Sequence, residues 1–432
     1  MRFVSTSGGA PPVDLRTALF EGLAPDGGLY LPETLELLRD DTVSRLYGTT
    51  LQETALFLAW HLMADELDVD RLEGIVTRAL DFPIPLRQLD DRTYVLELFH
   101  GPTLAFKDVG ARFMAQLMAS YHDDDESPIT VLTATSGDTG GAVADAFHQV
   151  PGTRVVVLYP EGQVSSLQER QFTTLGDNVA AVAVAGTFDD CQRLAKAALA
   201  DGELRSRARL TSANSINVGR LLPQIFYYFH AWAQLPDPAA DIVVSVPSGN
   251  FGNLTAGLMA KRLGLPVARF VAATNANDVV PEYLDRGEFR PRPSIRTLST
   301  AMDVGNPSNF VRMDALFGGS PAKMREAVVG SAHSDEATGD AIARVSRQYD
   351  YVLDPHSAVG YLGLEQARVR RPGCVGVILA TAHPAKFATT VEPAIGGAVE
   401  VPDRLARLLD REPRVTRMEP DDESLRSLLL TG

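Results

Sequence analysis

The stretch Ile242-Val-Val-Ser-Val-Pro-Ser-Gly-Asn-Phe-Gly-Asn253 decides how the rest of the chain is read. Ile242 to Val246 has the length and the β-branched, apolar character of a buried strand. A glycine-containing turn follows, and a helix opens at Leu254 with Leu258, Met259 and Leu263 on its inner side. Gly249 and Gly252 let the backbone approach a ligand closely, and the unpaired N–H groups at a helix start suit an anion. Judged alone, Ser248 to Asn253 is read as well by a tight turn with no ligand. It is not G-x-G-x-x-G, and no acidic residue stands where a dinucleotide ribose would need one, so a nicotinamide site is disfavoured.

The same strand, loop and helix pattern recurs along the chain. Tyr94–Leu98, Ile129–Leu132, Val155–Tyr159, Val179–Val184, Phe270–Ala273 and Val375–Leu379 read as further buried strands alternating with amphipathic helices. That alternation predicts an α/β fold. Five polar motifs directly follow these strands: Phe99-His-Gly-Pro-Thr103 leading to Lys107, Ser136-Gly-Asp-Thr-Gly140, Ser248–Asn253, Asn275-Ala-Asn-Asp278, and Thr381-Ala-His-Pro-Ala-Lys386. Ligands of open α/β sheets bind at the carboxyl ends of strands, so the five loops are expected to meet in one crevice. The region before Pro85 reads differently, as helices at Gln52–Leu62 and Val69–Leu80 separated by turns, with a boundary near Phe82-Pro-Ile-Pro85.

Lys107 lies among Leu104, Ala105 and Phe106 and precedes a helix with Phe113, Met114 and Leu117 on its buried side. A poorly hydrated lysine loses its proton readily and becomes a nucleophile. For an arbitrary lysine the ordinary alternative is a surface position or a pairing, here with Asp108. Ser136 to Gly140 offers hydroxyls and free N–H groups to an oxygen anion, and N-capping by Ser136, Asp138 or Thr139 accounts for it equally well. His100 and His383 read first as structural, hydrogen-bonded residues.

Composition narrows the function classes. The 432 residues are 45% hydrophobic and 22% charged, an ordinary globular balance with room for two or three domains. A net charge of -15 argues against nucleic acid. Cys191 and Cys374, the only cysteines, lack metal-ligand or disulfide spacing, and no run approaches a membrane span or a targeting signal. A cytoplasmic protein without metal is expected. Asp123-Asp-Asp-Glu126 reads as a solvated loop, and the tail after Pro402 as a charged helix with Leu405, Leu408 and Leu409 on one face.

A lysine together with a separate phosphate cradle is the pair that pyridoxal phosphate requires, an amine for its aldehyde and N–H donors for its phosphate. The run Glu97-Leu-Phe-His-Gly-Pro-Thr-Leu-Ala-Phe-Lys-Asp108, with Gly22–Pro32, Leu132–Gly140, Ser212–Arg220, Val244–Gly257, Ala272–Asn277 and Gly376–Phe387, resembles the threonine synthases. These are pyridoxal-phosphate enzymes of fold type II, and the likeness is to the bacterial branch with an extended N-terminal domain. The resemblance implies two open twisted α/β domains behind a mainly helical N-terminal one: residues 1–85 helical, 86–127 and 215–432 the large cofactor-binding domain, 128–214 the smaller. It implies conversion of O-phospho-L-homoserine and water to L-threonine and phosphate. In that reading Lys107 holds the cofactor and moves protons. Ser248, Gly249, Asn250, Phe251, Gly252 and Asn253 bind the cofactor, and Thr381 gives its pyridine nitrogen a neutral partner. Ser136, Gly137, Asp138 and Thr139 bind the substrate's charged groups, with Lys386, Arg112, Asn214 and Asn217 as candidates for its phosphate. The alternatives are another fold type II lyase, such as a serine or threonine dehydratase, and a catalytically silent relative. A monomer or a homodimer is expected.

Overall fold

Alternate residues of the strand Ile242–Pro247 enter two different apolar cores. In the computed structural model, which describes residues 1–122 and 127–431, Val244 and Val246 pack with the helices Gln224–Ala233 and Gly252–Arg262, whereas Val243 packs against the helix Pro355–Arg370. A strand covered on both faces has no solvent side, which is why the sequence shows an apolar run there rather than alternation. Each such side chain contributes about 1.5–3 kcal/mol of burial.

This strand lies inside a six-stranded sheet ordered Val328–Ala332, Arg269–Thr274, Ile242–Pro247, Val375–Ala380, Thr93–Glu97, Leu86–Asp90, parallel except for the last pair. A second, wholly parallel sheet runs Val415–Met418, Val179–Val184, Thr153–Pro160, Ile129–Ala134, Leu210–Ser212. The parallel arrangement puts the loops after Glu97, Pro247 and Ala380 on one rim of the first sheet and those after Ala134 and Ser212 on one rim of the second. The N-terminal part carries a short antiparallel pair, Phe3–Ser5 with Tyr30–Pro32, and the helices Leu51–Met63 and Val69–Ala79. Thr50 and Glu53 close a reciprocal capping box at the first helix, and Asp68 caps the second.

All seven buried strands read from the sequence are present. The strands without an apolar run were not foreseen: Leu86–Asp90 and Val415–Met418 are edge strands with largely solvent-facing side chains. The tail departs from expectation. Of its apolar stripe Leu405 is buried and Leu409 is exposed. Val415–Met418 then pairs with Val179–Val184, so the tail extends the second sheet rather than belonging wholly with the larger one. Hydrogen bonding drives this, because the 179–184 edge would otherwise present unpaired backbone groups. The acidic run Asp123–Glu126 lies outside the described residues.

A buried cation ties the parts together. Arg312, fully buried, donates from Nε to Tyr30 O (2.9 Å), from Nη2 to Ile216 O (2.6 Å), and from Nη1 to Ser215 O (3.1 Å) and Asn309 Oδ1 (2.7 Å). Burial pushes its guanidinium down to about 9. Removing the fork leaves buried carbonyls unpaired at about 1–3 kcal/mol each. Arg312→Met is therefore expected to lower stability by roughly 3 kcal/mol or more, read as a fall in thermal midpoint. An unchanged midpoint would show the clamp to be dispensable.

Candidate active site

Three strand ends and two loops of the second sheet line a cleft partly open to solvent. Its walls include Phe106, Lys107, Asp138, Ser215, Arg220, Gln224, residues 247–253, Ala301, Met302, His356 and Thr381. Lys107 begins the helix Lys107–Ser120, behind a turn built for it. Leu104 sits at φ 57°, a left-handed backbone held in place by what surrounds it. Asp108 accepts from Thr103 N (2.9 Å) and Thr103 Oγ1 (2.5 Å), and a Cβ on Gly101 would stand 2.5 Å from the Asp108 carboxylate. Burial pushes Asp108 up to about 6. The 380–386 loop lies alongside: Phe106 N donates to Thr381 O (2.9 Å) and His383 N to Leu104 O (3.1 Å).

The charges in the cleft do not balance. Lys107 Nζ is 3.7 Å from Asp138 Oδ2, and Lys386 Nζ is 2.5 Å from Asp138 Oδ1 and 2.8 Å from Thr103 O. Gln168 Nε2 donates to Asp138 Oδ1 at 2.7 Å. Although burial alone would raise it, the Lys386 and Lys107 ammoniums hold the Asp138 carboxyl well below the usual range. Desolvation lowers the Lys107 ammonium, helped by Lys386 and Arg220 and opposed by Asp138. Arg220 is itself pushed down to about 10 by burial. Lys107 and Lys386 thus share one carboxylate held firmly ionised, and the carboxylate acting on Arg220 is Asp108.

Several buried donors have no acceptor among the described residues: Arg220 Nε, Asn253 Nδ2 and Asn309 Nδ2. Asn253 Oδ1 is used by Tyr227 OH (2.7 Å) and Tyr228 OH (2.6 Å), so its amide nitrogen is the part left over. Phe251, the left-handed N-cap of the helix Gly252–Arg262, gives that helix no side-chain cap. Buried donors and an uncapped helix start together define an anion cradle. A Cβ at Gly252 would meet nothing nearer than 3.4 Å, whereas one at Gly249 would stand 2.8 Å from Ala301 O and Met302 Cα. Gly249 is thus glycine for packing, and the space at Gly252 lies open toward the cradle.

Of the expected cofactor residues, Lys107, Ser248 to Asn253 and Thr381 all line the cleft. The Ser248 hydroxyl donates to Val246 O (2.9 Å), and Asn250 accepts from Ser308 N and Asn309 N, bracing the loop. Of Ser136, Gly137, Asp138 and Thr139, only Asp138 forms part of the wall, and Ser136 is exposed. Asp138 is a partner for cations, not a receiver of anions. Asn214 donates to Ala134 O (3.0 Å) at the rim, with its Oδ1 unpaired.

Two expectations fail. Arg112 lies five residues beyond Lys107, roughly 140° round the helix, and donates to Ala79 O, Arg78 O and Asp81 at the end of a neighbouring helix. Asn217 spends its amide on Leu19 O, Ser212 O and Gly219 N. Neither reaches the cleft. Arg220, Asn309, Ser215 and His356 were missed; the only signals were Arg220 soon after a strand end and the Asp354-Pro-His356 helix start.

A family model described as pyridoxal-phosphate dependent enzyme matches residues 75–380, and models for the threonine synthase N terminus and C-terminal region match 2–80 and 357–429. The threonine synthase of Escherichia coli K12 is 45% identical over 97% of this chain and 96% of its own length, and that of Haemophilus influenzae 45% over 97% of each. The solved E. coli threonine synthase superposes with a TM-score of 0.93 at 43% identity, covering 100% of this chain and 99% of that one. A pyridoxal-phosphate-bound threonine synthase from Brucella melitensis gives 0.92 at 36%, over 100% and 99%. Fold and cleft together define a pyridoxal-phosphate-dependent lyase of fold type II, with pyridoxal 5'-phosphate as its cofactor. Within that class, the chain belongs to the threonine synthase family, enzymes of amino-acid biosynthesis. No described helix is long and apolar enough to cross a membrane.

The space at Gly252 gives a clean test of the cradle. Gly252→Val is expected to leave the thermal midpoint of the apoprotein near wild type while the protein purifies largely without cofactor, measured by absorbance after dialysis. Equal cofactor occupancy in mutant and wild type would make the loop a structural turn only.

Proposed function

We propose that the enzyme converts O-phospho-L-homoserine and water to L-threonine and phosphate in the cytoplasm, with Lys107 as its catalytic lysine. The observation that carries this reading is the surplus of cations: Lys107 and Lys386 share Asp138, and Arg220 in the cleft wall has beside it the charge of Asp108, whose carboxyl burial pushes up to about 6, in a chain whose net charge is -15. A substrate bearing a phosphate and a carboxylate supplies the missing negative charge. A serine or threonine dehydratase would need the lysine and the cofactor cradle but no second phosphate site, so the surplus disfavours it.

Pyridoxal phosphate, when bound, would supply an electron sink that acidifies the proton on the substrate's amine-bearing carbon and then those on the carbon beside it. The protein's own groups do the rest. The start of the Gly252–Arg262 helix, with Asn253 Nδ2 and Asn309 Nδ2, holds the cofactor phosphate, and Thr381 offers the pyridine nitrogen a neutral hydroxyl. Lys107, whose ammonium desolvation has weakened, takes and returns protons at Cα, Cβ and Cγ. Arg220 and Lys386 receive the substrate's phosphate and stabilise it as it leaves. Arg220, which lines the cleft and spends Nη1 on Ala213 O (2.5 Å), takes the part that the sequence gave to Arg112 and Asn217.

Purified holoenzyme should form threonine and phosphate in equal amounts from phosphohomoserine and release little ammonia from serine; ammonia from serine as the main reaction would transfer the chain to the dehydratases. A charge-assisted hydrogen bond contributes about 1.5–3 kcal/mol, so Arg220→Gln should lower kcat/KM for phosphohomoserine by about ten- to a hundredfold with cofactor retained. Arg112→Gln should leave kcat/KM near wild type. The reverse ranking would return the phosphate to Arg112.

A further inference from the structure

His356 is buried at 3% exposure and stands in the cleft wall beside Met302 and Thr381. Its Nδ1 is 2.5 Å from Asp354 Oδ2, which also accepts the His356 backbone N–H at 3.0 Å. The other oxygen, Asp354 Oδ1, accepts from Ser357 N at 3.2 Å and from the Ser357 hydroxyl. A carboxylate so placed only accepts, so Nδ1 carries the proton. On the far side of the ring Ala301 N donates to Nε2 at 3.2 Å. A backbone N–H only donates, so Nε2 is bare. Both contacts fit one neutral tautomer, and the ring packs edge-on against Phe387 with centroids 4.8 Å apart.

The residues that Nε2 holds lie against the phosphate cradle. Ala301 and Met302 belong to the short turn Thr300–Met302, and they press on Gly249 so closely that no side chain fits there. Asn275 Nδ2 anchors this segment on both sides, through Thr297 and Ser299 before it and Asp303 after it. Between those anchors, Nε2 is the acceptor that meets the Ala301 N–H.

We propose that His356, fixed in one tautomer by Asp354, is a positioning residue of the cofactor site: its Nε2 sets the Ala301–Met302 wall against the phosphate loop and so slows cofactor loss. The inference rests on the reading that residues 249–253 hold the cofactor phosphate. It separates the two things His356 offers, an acceptor nitrogen and an aromatic ring, and two substitutions divide them. His356→Phe keeps the ring and the packing on Phe387 but leaves the Ala301 N–H without an acceptor. His356→Gln loses the ring and keeps an acceptor oxygen of similar reach.

The experiment measures the cofactor dissociation rate of each holoenzyme by dilution into apo-aminotransferase trap, with the visible spectrum and thermal midpoint recorded beside it. An unpaired buried donor implies about a tenfold or greater acceleration of cofactor loss in His356→Phe, with a shifted visible band, and largely wild-type behaviour in His356→Gln. Equal rates in His356→Phe and wild type would overturn the proposal, as would loss in His356→Gln with retention in His356→Phe, which would assign the residue to packing. If His356→Phe fails to fold, rapid loss from His356→Gln still counts against the acceptor role and slow loss for it. Gly252→Val run in parallel keeps the underlying reading distinct: if it too retains cofactor, the cradle assignment has failed rather than the role of His356.

Discussion

One buried carboxylate answers for two lysines. Asp138 meets Lys386 at 2.5 Å and Lys107 at 3.7 Å, across the gap between the rims of the two sheets. A buried ammonium without a partner costs several kcal/mol, so a fully buried Lys386 depends on Asp138 and on the Thr103 carbonyl. Lys107, the looser partner, is left with its proton weakened by desolvation and by like charge. The same constraint that stabilises one lysine therefore prepares the other for chemistry.

The rest of the architecture delivers this geometry. Parallel strands bring the loops after Glu97, Pro247 and Ala380 to one rim, and the second sheet brings Asp138 and the 212–220 segment to face them. Arg312 links the N-terminal strand, residues 215–216 and Asn309 through one guanidinium, so the unpaired Asn309 amide at the cradle is braced from the far end of the chain. Buried donors left without acceptors are costly, and two of them, Asn253 Nδ2 and Asn309 Nδ2, stand where an anionic ligand would satisfy them.

Much of this was legible in the sequence because the strongest signals are local. Buried parallel strands announce themselves as apolar runs, and Lys107 and the 248–253 loop follow such strands directly. What stayed hidden depends on three dimensions. Edge strands such as Val415–Met418 have no apolar run to betray them. Arg112 and Arg220 are indistinguishable as letters; they stand on different helices, and the packing of those helices sends one to a neighbouring helix end and the other to the cleft. Asn217 reads as a polar residue in a ligand loop until its amide is seen consumed by backbone groups. Asp138 lines the cleft, but its charge becomes informative only with Lys386, far away in sequence, against it.

The proposed chemistry requires Lys107 to be the amine that carries the cofactor. Reduction of the holoenzyme with borohydride, followed by proteolysis and mass spectrometry of the labelled peptide, tests this directly. The pyridoxyl mass should appear on Lys107, within the peptide spanning Phe106 and Asp108, at near-stoichiometric yield. Label on Lys386 or Lys261, with Lys107 unmodified, would contradict it.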